Sequence, residues 1–597
     1  MEYDLAKITE SRESSSKKED SMTVREVISR MRFLMRDEKK NFILALIAIL
    51  LDSAFNLLGP LIVGYTIDTY VQGEDYHGVL VFSGILLAVY ILEFIASYVQ
   101  MKIMGGVGQR TLFSLRNTLF VKLQSLPLAF FNANRTGDLI SRINDDTQKL
   151  NNFFSETIMR FLGSIFVLAG AAIFIVVINW KLGIAALIPA VVITVFSQLV
   201  SGRVKHRSKL SLRANGALSS EIQESLTNFR VVVAFNRRDY FRQKFSEKNT
   251  ENYKAAMRAG LWNDFFGPGY DFMNYGAQLI VLVYGIYLIS LGQFGVGLLV
   301  SFLLYVSRFY DPLRMMAVLW TQFQSALASW DRVSEILSLE SNLKVVPDDS
   351  KNKSNNASQP VIEFKDVSFH YSNGTEVLRN INFKMEKGKT YALVGPTGGG
   401  KTTTASLLAR LYDPTSGKVL LNGQDIRSYE AVERTSKIGF ILQEPFLFTG
   451  TVRENLLYGN EKYADYTNEK FVEVLKEAGL EKLLSRFEKG LDTPTSTTDT
   501  SMSLGQRQII AFMRAMLRHP EILILDEATA NIDTITEELL EEILKKLPKE
   551  TTRVIIAHRL NTIESADEIF FVNGGEIKAA GSLEHAMDML MKGQRRS

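Results

Sequence analysis

Hydrophobic residues are concentrated in six long stretches within the first 320 residues of the chain. Each stretch is close to the roughly 20 residues that an α-helix needs to cross the hydrocarbon core of a bilayer. A buried soluble core can imitate one such stretch, but six in succession predict a bundle of six transmembrane helices. The stretches are 42–63, 79–99, 161–178, 182–200, 272–289 and 296–320.

The polar segments between these stretches predict the orientation of the bundle. Residues 65–77 carry Asp68, Glu74 and Asp75 without a lysine or arginine, whereas the segments 102–160 and 202–263 are long and basic. Because positively charged loops stay on the cytoplasmic side, both termini are predicted to be cytoplasmic. The two long segments are compatible with helix, so the transmembrane helices are expected to extend well into the cytoplasm.

Two polar regions flank this membrane domain. Residues 1–22 lack the apolar core and cleavage site of a signal peptide, and we interpret them as a disordered cytoplasmic tail. Between Val24 and Leu34, apolar residues at helical spacing alternate with arginines, which is typical of an amphipathic helix on a membrane surface. Residues 341–360 are rich in Asn, Ser, Asp and Lys and indicate a linker. The membrane domain, with this surface helix and two intracellular loops, is therefore placed at 23–340.

The remaining residues, 361–597, contain no stretch long enough to span a membrane. Strand-like apolar runs alternate there with helix-like segments, the pattern of an α/β domain. The strand-like runs are 361–364, 391–394, 438–442, 522–525 and 554–556.

Charge and cysteine content exclude some classes of protein. Lys and Arg total 68 against 65 for Asp and Glu, so the chain lacks the large excess of positive charge that is typical of nucleic-acid-binding proteins. The chain has no cysteine, which excludes disulfides and thiolate metal sites. A reducing compartment and removal of cysteines by engineering both fit this composition.

A glycine-rich motif indicates nucleotide binding. It follows the apolar run 391–394 and precedes a helix-like segment, which is the context that a phosphate-binding loop requires. Backbone N–H groups can curl around phosphates there, while Lys401 supplies positive charge and the Thr402 hydroxyl can bind magnesium. The predicted fold is thus a membrane α-helical bundle of six transmembrane helices with long cytoplasmic extensions, followed by an α/β P-loop ATPase domain. The predicted ATP contacts in this motif are Gly395, Pro396, Thr397, Gly398, Gly399, Gly400, Lys401, Thr402 and Thr403.

Two acids end a later apolar run. Asp526 is predicted to hold magnesium, and Glu527 to face the water that attacks the terminal phosphate. Such a pair alone could be a solvated turn, but the phosphate loop upstream favours the catalytic interpretation. His558 follows another strand-like run, and we interpret it as a phosphate contact rather than a core histidine.

From about Val24 onward, the chain resembles the ATP-binding cassette (ABC) exporters in their half-transporter layout. The resemblance implies that Tyr371 stacks on adenine and that Gln443 senses magnesium and the attacking water. It also implies that Asp533 belongs to the loop after the acids and that His558 is the switch histidine. Phe130 and Phe131, followed by 137–142, look like the first intracellular loop of this family.

One segment departs from the family pattern. The family signature Leu-Ser-Gly-Gly-Gln is replaced here by Met502-Ser-Leu-Gly-Gln506. The resemblance implies that this segment opens a helix whose N-terminus closes on the ATP of the other subunit. Ser503, Gly505 and Gln506 would supply the contacts. Leu504 places a branched side chain at the close approach. It also removes a residue that could take positive φ without cost, so a properly closed arrangement becomes harder.

The functional hypothesis is ATP-driven export of an amphipathic drug-like, lipid or peptide substrate by alternating access. Because Glu527 and His558 are intact while Leu504 spoils the signature, we favour one half of a heterodimer with one hydrolysing and one degenerate site. A homodimer with two equal slow sites, and an ATP-gated channel or regulatory membrane protein, are the alternatives. The expected ligands and partners are ATP, Mg²⁺, a second half-transporter subunit, the transported substrate and membrane lipids, with no nucleic acid.

Polar residues inside the predicted spans are the candidate contacts for the transported substrate. Ionisable side chains within membrane spans usually face a cavity or one another. Asp52, Glu93 and Arg308 are therefore candidate cavity residues, and structural pairing, for example of Arg308 with Asp311, is the alternative.

Overall fold

The computed structural model of the protein describes most of the chain. It covers residues 3–5, 7–8, 38–341, 343, 345–347, 359–371, 374–496, 502–526, 534–545, 547–556, 563–581, 584–585 and 589, apart from the side chains of 263, 266, 317 and 534–536. The chain divides into a membrane unit, Lys18–Leu123 with Gly137–Ser338, and a second unit, Met1–Lys17 with Gln124–Thr136 and Leu339–Ser597. The predicted surface helix between Val24 and Leu34 lies outside the described residues.

Among the described residues, six helices are long and apolar enough to cross a membrane, which confirms the six predicted spans. Two of them contain 49 and 48 residues. At about 1.5 Å per residue, each is about 70 Å long, more than twice the hydrocarbon thickness, so they extend well beyond a bilayer as predicted. The helices up to residue 338 are α1 Lys39–Thr66, α2 Tyr76–Gln124, α3 Leu128–Ala133, α4 Thr136–Ser141, α5 Thr147–Asn152, α6 Ile158–Ile178, α7 Trp180–Thr227, α8 Phe229–Ala234, α9 Arg238–Asp264, α10 Phe266–Ser290 and α11 Val296–Ser338, with π-helical turns at Ile67–Val71, Arg142–Asp146 and Phe153–Thr157.

Side-chain hydrogen bonds join α1 to α11. The two carboxylate oxygens of Asp68 accept from the backbone N–H groups of Gly297 at 2.6 Å and Leu298 at 2.9 Å. Asp68 thereby satisfies donors in the first turn of α11, where negative charge is also favourable. Deeper in the membrane unit, the Tyr305 hydroxyl donates to the backbone oxygen of Leu57 at 2.6 Å.

One of the predicted cavity residues is engaged in pairing between helices. The amide nitrogen of Asn56 on α1 donates to a carboxylate oxygen of Glu93 on α2 at 2.7 Å. Asp52 lies one helical turn before Asn56 on α1. The contact agrees with the alternative that Glu93 serves to hold helices together.

The second unit contains two main sheets. A six-stranded sheet has the order β12-β11-β3-β10-β9-β6, in which only the pairing of β11 with β12 is antiparallel. A four-stranded antiparallel sheet has the order β2-β1-β4-β5, and β7 pairs with β8. The strands are β1 Ile362–His370, β2 Glu376–Met385, β3 Thr390–Val394, β4 Ser416–Leu421, β5 Gln424–Asp425, β6 Ile438–Ile441, β7 Gly450–Thr451, β8 Pro494–Thr495, β9 Ile522–Asp526, β10 Thr552–Ile556, β11 Glu568–Asn573 and β12 Glu576–Ala579.

The central strands of the six-stranded sheet are buried on both faces. Every residue of β3 and β9 is buried. Alternate side chains enter different cores: Leu393 and Ile524 lie in one hydrophobic cluster, and Ala392 and Leu523 lie in another. This explains why both strands read as continuous apolar runs. The helices of this half are α12 Lys401–Leu408, α13 Ala431–Lys437, α14 Val452–Leu457, α15 Asn468–Glu477, α16 Glu481–Leu484, α17 Leu504–Met516 and α18 Thr534–Lys545.

The first residues differ from the expectation of a disordered tail over 1–22. Tyr3 and Leu5 are only 2% and 1% exposed. Two apolar side chains in an otherwise polar segment can be buried when another part of the fold provides a partner surface, which the local sequence pattern does not reveal.

Candidate functional site

Several of the predicted nucleotide-site residues lie at one edge of the six-stranded sheet. Strands β3, β10, β9 and β6 are adjacent and parallel, so their carboxyl ends meet at the same edge. Asp526 at the end of β9 pairs in register with Ile556 at the end of β10, which also pairs with Leu393 of β3. The carboxyl edge of parallel strands is where α/β domains bind their ligands.

The glycine-rich motif connects β3 to α12 in a loop with unusual backbone angles. Gly395 has φ +151°, and a Cβ there would lie 2.0 Å from the backbone oxygen of Val572. Gly400, just before α12, has φ +112°. Both positions favour glycine because an L side chain would be strained in these conformations.

Lys401 is buried beneath this loop. Its ammonium group donates to the backbone oxygens of Gly395 at 2.9 Å and Pro396 at 3.0 Å, and the residue is 6% exposed. The loop and the N-terminus of α12 thus combine a positive charge with backbone donors, which is the arrangement that binds phosphates. Thr402, the predicted magnesium ligand, is exposed at the first turn of α12.

Tyr371, the predicted adenine contact, lies close to the phosphate loop. Its hydroxyl is 3.0 Å from that of Thr403 on α12. Its ring meets the ring of Tyr412 edge to face, with centroids 5.5 Å apart. The tertiary structure therefore brings together Tyr371 and the loop, which are separated by about 30 residues in the chain.

The other predicted catalytic residues are only partly within the described chain. Asp526 is 3% exposed at the end of β9, and Gln443 is exposed just after β6. Asp526 is the last residue of β9 and Gln443 follows β6, and both strands end at the edge described above. Glu527, Asp533 and His558 lie outside the described residues.

The signature segment begins α17 with a capping box. The Ser503 hydroxyl accepts from the N–H of Gln506 at 3.1 Å, and the Gln506 side chain accepts from the N–H of Ser503 at 3.0 Å. Leu504 is the first helical residue and does not have a positive φ. The cap places Leu504 in ordinary helical geometry, so this conformation of the segment does not need the backbone freedom of a glycine there.

One contact to the first intracellular loop was not predicted from the sequence. In the second unit, the amide nitrogen of Asn132 in α3 donates to the hydroxyl of Tyr412 at 2.6 Å. Burial raises the pKa of Tyr412, while the hydrogen bond from Asn132 lowers it. Asn132 thus lies two contacts away from Tyr371. The sequence signal was weak, because only the neighbouring Phe130 and Phe131 matched a known pattern.

This contact can be tested by a double-mutant cycle. We expect Tyr412→Phe and Asn132→Ala each to lower the free energy of unfolding of the second unit by about 1 kcal/mol, because each removes one hydrogen bond. The double variant should lose little more than either single variant, since the two side chains share one interaction. Tyr466→Phe is the matched control. Fully additive losses would contradict a direct interaction.

Comparisons with known proteins agree with this geometry. Residues 42–313 match the model of the ABC transporter transmembrane region, and residues 378–530 match the model described as ABC transporter. The chain is 33% identical over 583 residues to the uncharacterized ABC transporter ATP-binding protein YfiC of Bacillus subtilis, covering 96% of this chain and 94% of that protein.

Two further relatives have names that state a substrate. A fatty acid ABC transporter ATP-binding/permease protein of Mycobacterium tuberculosis is 32% identical over 515 residues, covering 86% of this chain and 80% of that protein. A multidrug resistance ABC transporter ATP-binding and permease protein of Lactococcus lactis is 30% identical over 550 residues, covering 90% of each protein.

The chain belongs to the ABC transporter family. It is an integral membrane protein with an ATP-binding domain on the cytoplasmic side, and it hydrolyses ATP to drive transport. The resemblance inferred from the motifs, and the fold class predicted with it, are confirmed.

Proposed function

We propose that the protein exports an amphipathic substrate by alternating access, as one half of a heterodimeric exporter. The observation that supports this proposal is a complete phosphate loop in the same chain as six spanning helices. ATP binding and hydrolysis in the second unit would shift the membrane helices between inward-open and outward-open states through differential affinity for ATP.

Magnesium is proposed as the cofactor of this ATPase. The predicted ligands are the Thr402 hydroxyl, the Asp526 carboxylate and the Gln443 side chain. All three offer oxygen atoms, which Mg²⁺ prefers, and the described Asp526 and Gln443 lie at or just after the ends of strands that finish at the same edge as the phosphate loop. Few protein ligands are required, because ATP phosphates and water complete the coordination of Mg²⁺ in such enzymes.

The signature segment supports the proposal of unequal sites. The capping box occupies the N–H groups of Ser503 and Gln506, which leaves those of Leu504 and Gly505 to face a partner's phosphate. The Leu504 side chain adds bulk where that phosphate would approach. This chain's own phosphate loop is intact, so it would hydrolyse ATP against an unspoiled signature on a different partner.

The proposed substrate class is based on the names of two relatives. One relative is named for fatty acids and another for multidrug resistance, so amphipathic compounds with an apolar body are the first candidates. The experiment is the ATPase activity of the purified complex with and without such compounds, followed by their accumulation in inverted vesicles. Stimulation without accumulation would favour an ATP-gated or regulatory protein.

The composition of the assembly can be measured directly. We expect native mass spectrometry of the complex, purified from its own host with a C-terminal tag, to show one 67.3 kDa chain with one different chain. Twice the mass of this chain, with no second polypeptide, would contradict the heterodimer and leave two equal sites containing Leu504.

The effect of Leu504 provides a second test of unequal sites. We expect Leu504→Gly to increase ATP turnover of the heterodimer, because the second site would gain a signature that its phosphates can approach. Gly505→Ala adds a methyl group beside the same N–H groups and should have no such stimulating effect. Unchanged turnover and unchanged binding asymmetry in Leu504→Gly would count against a degenerate site.

A further inference from the structure

The start of the chain is built into the second unit by burial. Tyr3 and Leu5 are 2% and 1% exposed, a degree of burial usual for core residues. Asp4, between these two residues, makes two polar contacts. Its carboxylate accepts from the N–H of Lys7 at 3.4 Å, and its backbone oxygen accepts from the N–H of Ile8 at 3.1 Å. Leu5 therefore lies at the start of a helical turn, with Asp4 as the acceptor at its N-terminus.

Asn134 binds the backbone of this segment through both ends of its side-chain amide. Its amide nitrogen donates to the backbone oxygen of Tyr3 at 2.7 Å, and its amide oxygen accepts from the N–H of Leu5 at 3.0 Å. A residue in a β-ladder likewise uses one donor and one acceptor on residues two apart in the neighbouring strand. A side-chain amide can imitate a peptide group in this way because it carries both a donor and an acceptor.

The same asparagine also ends α3, the short helix of the first intracellular loop. Its amide nitrogen donates to the backbone oxygen of Phe130 at 2.7 Å, and its own backbone is extended, with φ −121°. Helix α3 has only six residues, too few to be stable in isolation. Asn134 thus satisfies a carbonyl of α3 and holds residues 3–5 with one side chain.

A third point joins the segment to the chain that follows the last membrane helix. The Tyr3 hydroxyl donates to the backbone oxygen of Glu340 at 2.9 Å. Helix α11 ends at Ser338, so Glu340 lies in the first residues after it. Residues 3–5 therefore contact both the loop that carries α3 and the segment that leads toward the ATP-binding domain.

We propose that residues 3–5, 7 and 8 form a clasp that positions α3 on the second unit, so that movements driven by ATP are transmitted through this loop. The proposal rests on the proposed transport function. Asn132 contacts Tyr412 on one side of α3, and Asn134 contacts the clasp at its end. With the clasp removed, α3 would keep the first contact and lose the second. Tyr3, Leu5 and Asn134 are positioning residues in this arrangement and touch no nucleotide.

The test compares two deletions of six residues in the full protein within its purified complex. Hydrogen–deuterium exchange is measured for the peptide that covers 128–136. We expect deletion of 3–8 to accelerate its exchange at least about tenfold, since buried hydrogen bonds at the end of α3 are lost. Deletion of 12–17, in the same polar region, should leave the exchange unchanged. ATP turnover should persist after deletion of 3–8, while the amount of substrate moved per ATP falls.

Point variants and a rescue experiment guard against misfolding of the deletion protein. Leu5→Asp should reproduce the faster exchange, and Leu5→Met, which preserves volume, should not. A synthetic peptide with the sequence of residues 1–10, added to the protein lacking 3–8, should restore protection of 128–136. The same peptide carrying Leu5→Asp should fail to do so.

Two results would overturn the clasp. One is unchanged exchange of 128–136 after deletion of 3–8, and the other is equal acceleration by the control deletion. Failure of the proposed transport function is distinguishable, because it would abolish substrate movement in every variant while leaving the difference in exchange intact.

Discussion

Replacement of Lys401 with alanine is expected to lower ATP turnover of the complex by roughly a hundredfold or more, the scale observed when one preorganised charge-stabilising donor is removed from an active site. The Lys401 ammonium is held by the carbonyl oxygens of Gly395 and Pro396, directly at the loop that binds phosphates. Alanine removes the only positive charge of this motif and leaves the backbone donors. The affinity for ATP should therefore fall much less than the rate of hydrolysis.

The matched control is Lys389→Ala. Lys389 lies just before β3, with 46% of its side chain exposed in an ion pair with Glu386. Surface ion pairs contribute little, so turnover should be unchanged. Steady-state phosphate release, together with equilibrium binding of Mg-ATP, distinguishes lost hydrolysis from lost binding. A Lys401→Ala complex with normal turnover would show that hydrolysis occurs at the phosphate loop of the partner, which would reverse the proposed assignment of the two sites.

The second large effect is expected at a buried ion pair in the membrane unit. Arg142, in the π-helical turn before α5, donates to the Glu335 carboxylate on α11 at 2.7 Å, and each side chain is about 5% exposed or less. It also donates to the backbone oxygen of Arg332 at 2.9 Å. Without Glu335, the buried Arg142 guanidinium keeps only one charged partner among the described residues, Asp138 at 3.0 Å, whose side chain is 49% exposed. Glu335→Ala should therefore destabilise the unit by roughly 3 kcal/mol, the lower end of the range for breaking a buried ion pair.

A neighbouring contact strengthens the same junction. Asp146, four residues after Arg142, is 2% exposed and accepts from Arg332 at 2.7 Å and from the Ser329 hydroxyl at 3.0 Å. Arg142 and Asp146, the first and last residues of the π-helical turn, thus both bind the cytoplasmic end of α11. The effect is measured as the unfolding temperature of the complex in detergent. Samples are heated, and the remaining folded protein is quantified by its elution peak in size-exclusion chromatography.

Two variants test the physical reason for this loss. Arg142→Met combined with Glu335→Leu removes both charges and should recover most of the stability, because well-packed apolar residues can replace a buried ion pair. Arg242→Met, which removes a partner of the exposed Asp239, should change stability little. An unchanged unfolding temperature in Glu335→Ala would contradict a stabilising role for the buried pair of Arg142 and Glu335.

The parts of the fold that were predicted well depend on local patterns. The run 391–394 lies within β3, and 522–525 lies within β9, because both strands are buried on two faces and read as continuous apolar segments. The phosphate loop could be found because its glycines, lysine and threonine are contiguous. The helical conformation of Leu504 is likewise set locally, by the capping box of Ser503 and Gln506.

Contacts between distant residues had no signal of this kind. Asn132 and Tyr412 are 280 residues apart, and Leu5 and Asn134 are 129 residues apart. Asparagine is common in polar loops, so the sequence does not reveal that Asn134 ends α3 or that it binds the backbone of Tyr3. Tyr3 and Leu5 were assigned to a disordered tail because the residues around them are charged and polar.

The sequence by itself determined that six helices cross a membrane, which side carries the basic loops, and that an α/β domain with a phosphate loop follows. These properties depend on bilayer thickness, on loop charge and on glycine-rich backbone geometry, all of which are expressed over a few tens of neighbouring residues. Only the tertiary structure decided that Arg142 meets Glu335 across 193 residues and that Asn134 holds the start of the chain. Such pairs depend on which buried polar groups the completed fold brings within hydrogen-bond distance, and burial makes those partners necessary.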